Sequence, residues 1–134
     1  MRVLVDTSVW SLSLRRMRSA PHPCRAELHV LIEEGRAAII GPVRQELLSG
    51  IRTAAQFDLL RTHLRAFPDL VLGNEDYEEA ARFFNLCRAR GVQGSNTDFL
   101  ICAAGVRREM PILTTDDDFI RYARLLPIAL HGPR

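Results

Sequence analysis

The chain has 134 residues, 47% of them hydrophobic and 25% charged, with only 8 glycines and 7 prolines, the composition of a folded globular domain rather than a disordered or fibrous chain. Its net charge is +2, and all 18 basic residues are arginine, which excludes mechanisms that need a lysine, a Walker A phosphate loop and a Schiff base among them. No run approaches the roughly 18 apolar residues of a bilayer span, and Asp6 interrupts the apolar start too early for a signal peptide, so a cytoplasmic protein without a membrane partner is expected.

Short apolar runs alternate with longer amphipathic ones. Val3-Leu4-Val5 predicts a first strand, a short helix follows from about Ser8, and a basic, proline-containing loop carries Arg15, Arg16 and Arg18. A helix is predicted over about 25–34 and stops at Gly35; Ala37 to Ile40 predicts a second strand. Gly41-Pro42 opens a helix with Val43, Leu47 and Ile51 on one stripe. Further helices are expected over about 54–66, 76–90 and 96–109, with an apolar segment at 70–72. Pro111 then leads into a strand at Ile112-Leu113-Thr114, a short helix starts near Phe119, and a last strand lies near Ile128 to Leu130. Strands separated by helices, with no repeat or linker, predict one α/β domain over residues 1–134, a three-layer sandwich with a central, mostly parallel sheet flanked by helices.

Cys24, Cys87 and Cys102 form no CxxC pair and are expected as small buried hydrophobes. The four histidines are isolated in sequence and match no metal-ligand spacing.

The acids are more specific. Asp6 follows the first strand and Asp116 lies two residues past the strand ending near Thr114, so both fall at strand carboxyl ends, the edge along which open α/β sheets bind ligands. Glu46 lies near the start of the helix after the second strand, at that same edge. The helix carrying Asp98 descends to the Met110-Pro111 turn and so must begin there too. Asp98 shares a stripe with Ile101, Cys102 and Gly105, which directs it toward the sheet. Singly, each acid has an ordinary explanation as a cap, a first-turn residue or a solvated charge. Four converging on one rim would repel one another and partly neutralise unless a cation or arginine compensates them. An oxygen-only set favours Mg²⁺, or Mn²⁺ in its place, over zinc.

Four blocks in this order, Val3-Leu4-Val5-Asp6-Thr7-Ser8-Val9-Trp10, Pro42-Val43-Arg44-Gln45-Glu46-Leu47-Leu48-Ser49-Gly50, Asp98 to Ala104 and Ile112 to Phe119, give the chain a resemblance over essentially its whole length to the PIN-domain family, and within it to VapC-like ribonuclease toxins of toxin–antitoxin pairs. The resemblance implies that Asp6, Glu46, Asp98 and Asp116 form the acidic quartet that holds divalent metal. Ser8 and Thr114 match supporting hydroxyl positions. Asp118 matches a second acid of the last block, although it serves equally well as a helix cap. The family's activity is Mg²⁺-dependent endoribonuclease cleavage leaving a 5′-phosphate and a 3′-hydroxyl. Its partners are an RNA substrate, a cognate antitoxin whose segment can enter the groove, and a second copy in a homodimer.

Arg15, Arg16, Arg18 and Arg44 are the first candidates for contacts to the RNA backbone, with ion pairs to neighbouring acids as the alternative. Leu28, Leu31 and Leu59 are expected in the core before any partner surface. Two other function classes also use an acid in such a position. A binding module could accept a partner's arginine in the same acidic pocket. A haloacid dehalogenase-type phosphatase would need a second acid two residues after the first and a later lysine, where this chain has Ser8 and no lysine.

Overall fold

Val3–Val5 (β1) is apolar and buried at every position, the pattern of a strand covered on both faces, as parallel sheets require. A computed structural model of the chain describes residues 1–14 and 22–133. Ala37–Ala38 (β2) and Ile112–Leu113 (β3) lie on either side of β1, giving the order β2-β1-β3. Both pairings are parallel, with Val3 opposite Ala37 and Leu4 opposite Ile112. Among the described residues seven helices flank this sheet: α1 (Thr7–Leu14), α2 (Pro23–Glu33), α3 (Gly41–Leu48), α4 (Ala54–Leu64), α5 (Asn74–Ala89), α6 (Asn96–Arg108) and α7 (Asp118–Ala123). The expected α/β sandwich with a parallel central sheet is the fold observed.

The topology creates the site. From β1 the chain crosses through α1 and α2 to β2 on one side, then returns through α3, α4, α5 and α6 to β3 on the other. A central strand whose two neighbours are reached in opposite directions leaves a crevice at the strand carboxyl ends.

Helix α6 is the most deeply set helix, with every residue from Phe99 to Gly105 buried. It closes tightly on the lead-in to β3, since a Cβ on Gly105 would stand 3.0 Å from the Met110 carbonyl oxygen. Glu109, in the left-handed region at φ 54°, ends the helix, and the Met110 amide donates to the Gly105 carbonyl at 2.9 Å. That reversal sends the chain directly into β3, so α6 runs antiparallel to it and begins at the carboxyl rim.

At its other end α6 is locked to α5. Asp76, 3% exposed, accepts Arg107 Nε at 3.0 Å, Arg108 Nη1 at 2.7 Å, Arg108 Nη2 at 3.0 Å and the Gly73 amide at 2.9 Å. The Arg108 guanidinium bonded to it is the main reason the Asp76 carboxyl sits well below the usual carboxylate range.

Several elements differ from expectation. The second strand ends at Ala38 rather than Ile40, and Ile39 forms a parallel bridge with Asp69 instead. The last strand contracts to a single bridge between Leu130 and Ile112. Leu28 and Leu31 are fully buried as expected, whereas Leu59 is 51% exposed, because α4 packs substantially against α3 alone. All three cysteines are free and buried. Among the described residues no helix is long and apolar enough to cross a membrane.

Candidate active site

Asp6, Ser8, Glu46, Asp98 and Asp116 line one cleft of about 670 Å³, together with Thr7, Pro42, Gln45, Ser49 and Thr97. Residues from four separate stretches of sequence thus meet at the carboxyl rim, where β1 and β3 end and α3 and α6 begin.

Each acid is held by the protein through one oxygen. Asp6, only 5% exposed, accepts on Oδ2 from the Ser8 hydroxyl at 2.7 Å and the Thr114 hydroxyl at 2.8 Å. Those hydroxyls are themselves fixed: Thr114 Oγ1 accepts the Asp116 amide at 3.0 Å, and Ser8 Oγ accepts the Thr115 amide at 3.1 Å. The loop after β3 is in this way tied to the first turn of α1. Glu46 Oε1 accepts from the Thr7 hydroxyl at 2.7 Å. Asp116 Oδ1 accepts the Asp118 amide at 2.9 Å. Asp98 Oδ2 accepts from the Tyr122 hydroxyl at 2.7 Å, and its amide donates to Ser95 Oγ, the cap of α6, at 3.0 Å.

Asp98, Asp116 and Asp118 each place a carboxylate oxygen within 4.8 Å of the others. Asp6 and Glu46 line the same cleft without joining that closest group. Asp118, whose role the sequence leaves open, therefore stands among the oxygens spaced for a cation. It does not cap α7 with its side chain: Asp116 receives the amide bond, and the Asp118 carboxylate meets Arg121 one turn on. Among the described residues Asp6, Glu46, Asp98 and Asp116 have no ion pair. Burial pushes the Asp98 carboxyl above its ordinary value, and the charges of Asp6 and Asp116 add to the effect while the Tyr122 hydroxyl opposes it. Oxygen donors without histidine or thiolate, close enough to share one ion and met by a single arginine, Arg121 at Asp118, fit a hard divalent cation such as Mg²⁺ or Mn²⁺.

The arginine candidates fare differently. Arg15, Arg16 and Arg18 lie outside the described residues. Arg44 does not offer its guanidinium to the cleft: Nε donates to Asp69 at 2.9 Å, Nη1 to the Leu64 carbonyl at 3.0 Å, and Nη2 to the Phe67 carbonyl. It fastens α3 to the end of α4, so the reading of Arg44 as an RNA contact is corrected to a structural one.

Sequence reading missed Thr7, Ser95 and Tyr122. Ser95 is recoverable from its Ser-x-x-Asp spacing to Asp98, a helix-start signal, and Thr7 adjoins Asp6. Tyr122 lies 24 residues from its partner on a six-residue helix, too short to show periodicity.

The family model for the PIN domain matches residues 3–125, and the chain belongs to the PIN-domain family. Three solved structures share the fold. FitAcB from Neisseria gonorrhoeae is 20% identical with a TM-score of 0.76, covering 98% of this chain and 97% of that one. VapBC2 from Rickettsia felis, bound to a DNA fragment from its promoter, is 15% identical with a TM-score of 0.76 and 98% coverage of both chains. VapBC-5 of Mycobacterium tuberculosis, a member of a family of toxin–antitoxin systems, is 19% identical with a TM-score of 0.70 and 96% coverage of both. Against curated proteins the sequence finds no match.

Proposed function

We propose that this chain is a VapC-like toxin of a toxin–antitoxin pair, acting as a Mg²⁺- or Mn²⁺-dependent endoribonuclease. The observation that carries the reading is the way four cleft acids are anchored. Each gives one oxygen to a protein donor, and Asp6, Glu46 and Asp116 keep the second without a hydrogen-bond partner among the described residues. Structural carboxylates such as Asp76 use both oxygens and draw in arginine. PIN-domain membership and the toxin–antitoxin relatives point the same way.

In this reading Asp98, Asp116 and Asp118 hold the cation, with Asp6 and Glu46 completing the acidic wall. The bound ion supplies positive charge that activates water and offsets the charge of the scissile phosphate. Ser8 and Thr114 fix Asp6 by holding Oδ2, and Thr7 fixes Glu46, so the wall is set before substrate arrives. Phosphates outside the reactive position call for basic side chains, for which Arg15, Arg16 and Arg18 are the candidates in the sequence. Aromatic residues are 7% of the chain, which favours shape and phosphate contacts over base stacking. Residues 1–134 act as one nuclease domain in the cytoplasm, as a homodimer silenced by a cognate antitoxin.

The test is cleavage of a panel of structured and single-stranded RNAs by purified protein with Mg²⁺, with EDTA, and with Asp98→Asn purified identically. Metal-dependent cutting that disappears in Asp98→Asn is the expected result. No cutting of any RNA, with no Mg²⁺ or Mn²⁺ binding by calorimetry, overturns the nuclease reading and leaves a PIN fold that binds a partner's arginine. Expression alone should arrest growth, with relief by a coexpressed antitoxin.

A further inference from the structure

The geometry points to Tyr122 as a positioning residue of the metal site, holding Asp98 by one oxygen so that the other faces the cation, with Gly94 as the residue that makes this grip sterically possible. The inference rests on the metal-dependent reading above and assigns a role to a side chain outside the acidic set.

Tyr122 is fully buried. Its ring is wedged between Phe99, at a centroid distance of 5.0 Å, and Phe119, at 5.1 Å, so the hydroxyl has little freedom to move. It emerges from this aromatic block at one point, against Asp98 Oδ2. Among the described residues Asp98 has no arginine or other cation to orient it. Its backbone is fixed by the Ser95 cap, and its carboxylate chiefly by the Tyr122 hydroxyl, with the Ser95 hydroxyl a lesser influence. A carboxylate near other acids swings away from them when unrestrained; a neutral donor on one oxygen opposes that swing without adding the positive charge that would compete with a cation.

Gly94 supplies an independent sign that the hydroxyl's place is built into the fold. A Cβ there would lie 2.2 Å from Tyr122 Oη, 2.8 Å from its Cζ and 3.0 Å from Phe99 Cε2. Any side chain at residue 94 must push the phenol off its position. The Gly94-Ser95-Asn96-Thr97 segment, which matches no fixed pattern in the sequence, thus controls Asp98 twice: Gly94 admits the hydroxyl and Ser95 fixes the amide.

Mn²⁺ titrations followed by electron paramagnetic resonance, on full-length wild type, Tyr122→Phe and Gly94→Ala, test this together with thermal melts. Tyr122→Phe removes one oxygen and keeps the ring. The expected result is Mn²⁺ affinity weakened by roughly 10- to 100-fold in Tyr122→Phe, a loss in the same direction in Gly94→Ala, and a cooperative melt in both. In metal-free protein the ¹³Cγ resonance of Asp98 should move in Tyr122→Phe, a signature independent of any ion. Wild-type affinity in a cooperatively folded Tyr122→Phe overturns the proposal while leaving the nuclease reading standing. A wild-type chain that binds no Mn²⁺ overturns both, and the two failures are told apart by the wild-type titration alone.

Discussion

The two ends of α6 each meet an acid, Asp76 buried and Asp98 half-buried, and they treat it in opposite ways. At the carboxyl end Arg107 and Arg108 close on Asp76, satisfying both its oxygens and lowering its proton affinity. At the amino end Asp98 faces Asp6 and Asp116 with hydroxyls for company and no ion pair among the described residues, and its proton affinity is raised. The helix dipole favours both arrangements, anion at the amino end and arginine at the carboxyl end, so it does not explain the contrast. What differs is where the neutralising charge originates. The chain supplies it to Asp76 and leaves the rim to be neutralised from outside, and that separates a structural acid from a site acid more sharply than burial does.

The largest effect expected from breaking this contrast is at Asp98. Asp98→Asn should cost more than the roughly 10–100-fold typical of losing a ligand's outer partner, read as RNA cleavage and Mn²⁺ affinity. Because burial and like charge disfavour the ionised Asp98, the metal-free melting temperature should hold or rise; a clear fall would mean that Asp98 is structural. Asp76→Ala should do the reverse, losing about 3 kcal/mol in chemical denaturation because two guanidinium groups and the Gly73 amide lose their partner. Its Mn²⁺ affinity should match wild type.

Acid titration sharpens the same comparison. The folded-state value of Asp76 lies below the 3.8 of a free carboxyl. The stability it contributes is therefore complete above about pH 4 and lost as pH falls through that value toward the folded one. Denaturation profiles of wild type should fall steeply below about pH 4, and those of Asp76→Ala less so; parallel profiles would place the acid sensitivity elsewhere. The smallest effect is expected at Arg44, where Arg44→Ala should cost about 1–2 kcal/mol from its bonds to Asp69 and two carbonyls. The salt dependence of RNA binding should not change if Arg44 meets no phosphate.

How much of this is legible in the sequence depends on distance along the chain. The Asp98 stripe reports correctly on α6, since Ile101, Cys102 and Gly105 are all buried, because helical periodicity is local. The shared rim of Asp6, Glu46, Asp98 and Asp116 follows from topology, which short strands and connecting helices constrain tightly. Asp76 with Arg107 and Arg108 is not legible: the partners are 31 and 32 residues apart, and each alone looks like a solvated charge. Arg44 fails for the same reason, its partners lying at residues 64, 67 and 69. Leu59 shows the limit of amphipathic patterning, which identifies an apolar face without showing that a neighbour covers it.

A sheet of three short strands would ordinarily present two raw edges to any passing chain. Here the outer side of β3 is occupied at Ile112, whose amide donates to the Ala129 carbonyl at 2.9 Å and whose carbonyl accepts the His131 amide at 2.7 Å. Beyond β2, Ile39 accepts the Leu70 amide at 2.9 Å. These two single-residue bridges serve as bumpers against edge-to-edge polymerisation. A variant shortened before residue 129 would lose the one at β3, and its first symptom would be aggregation during expression rather than altered chemistry.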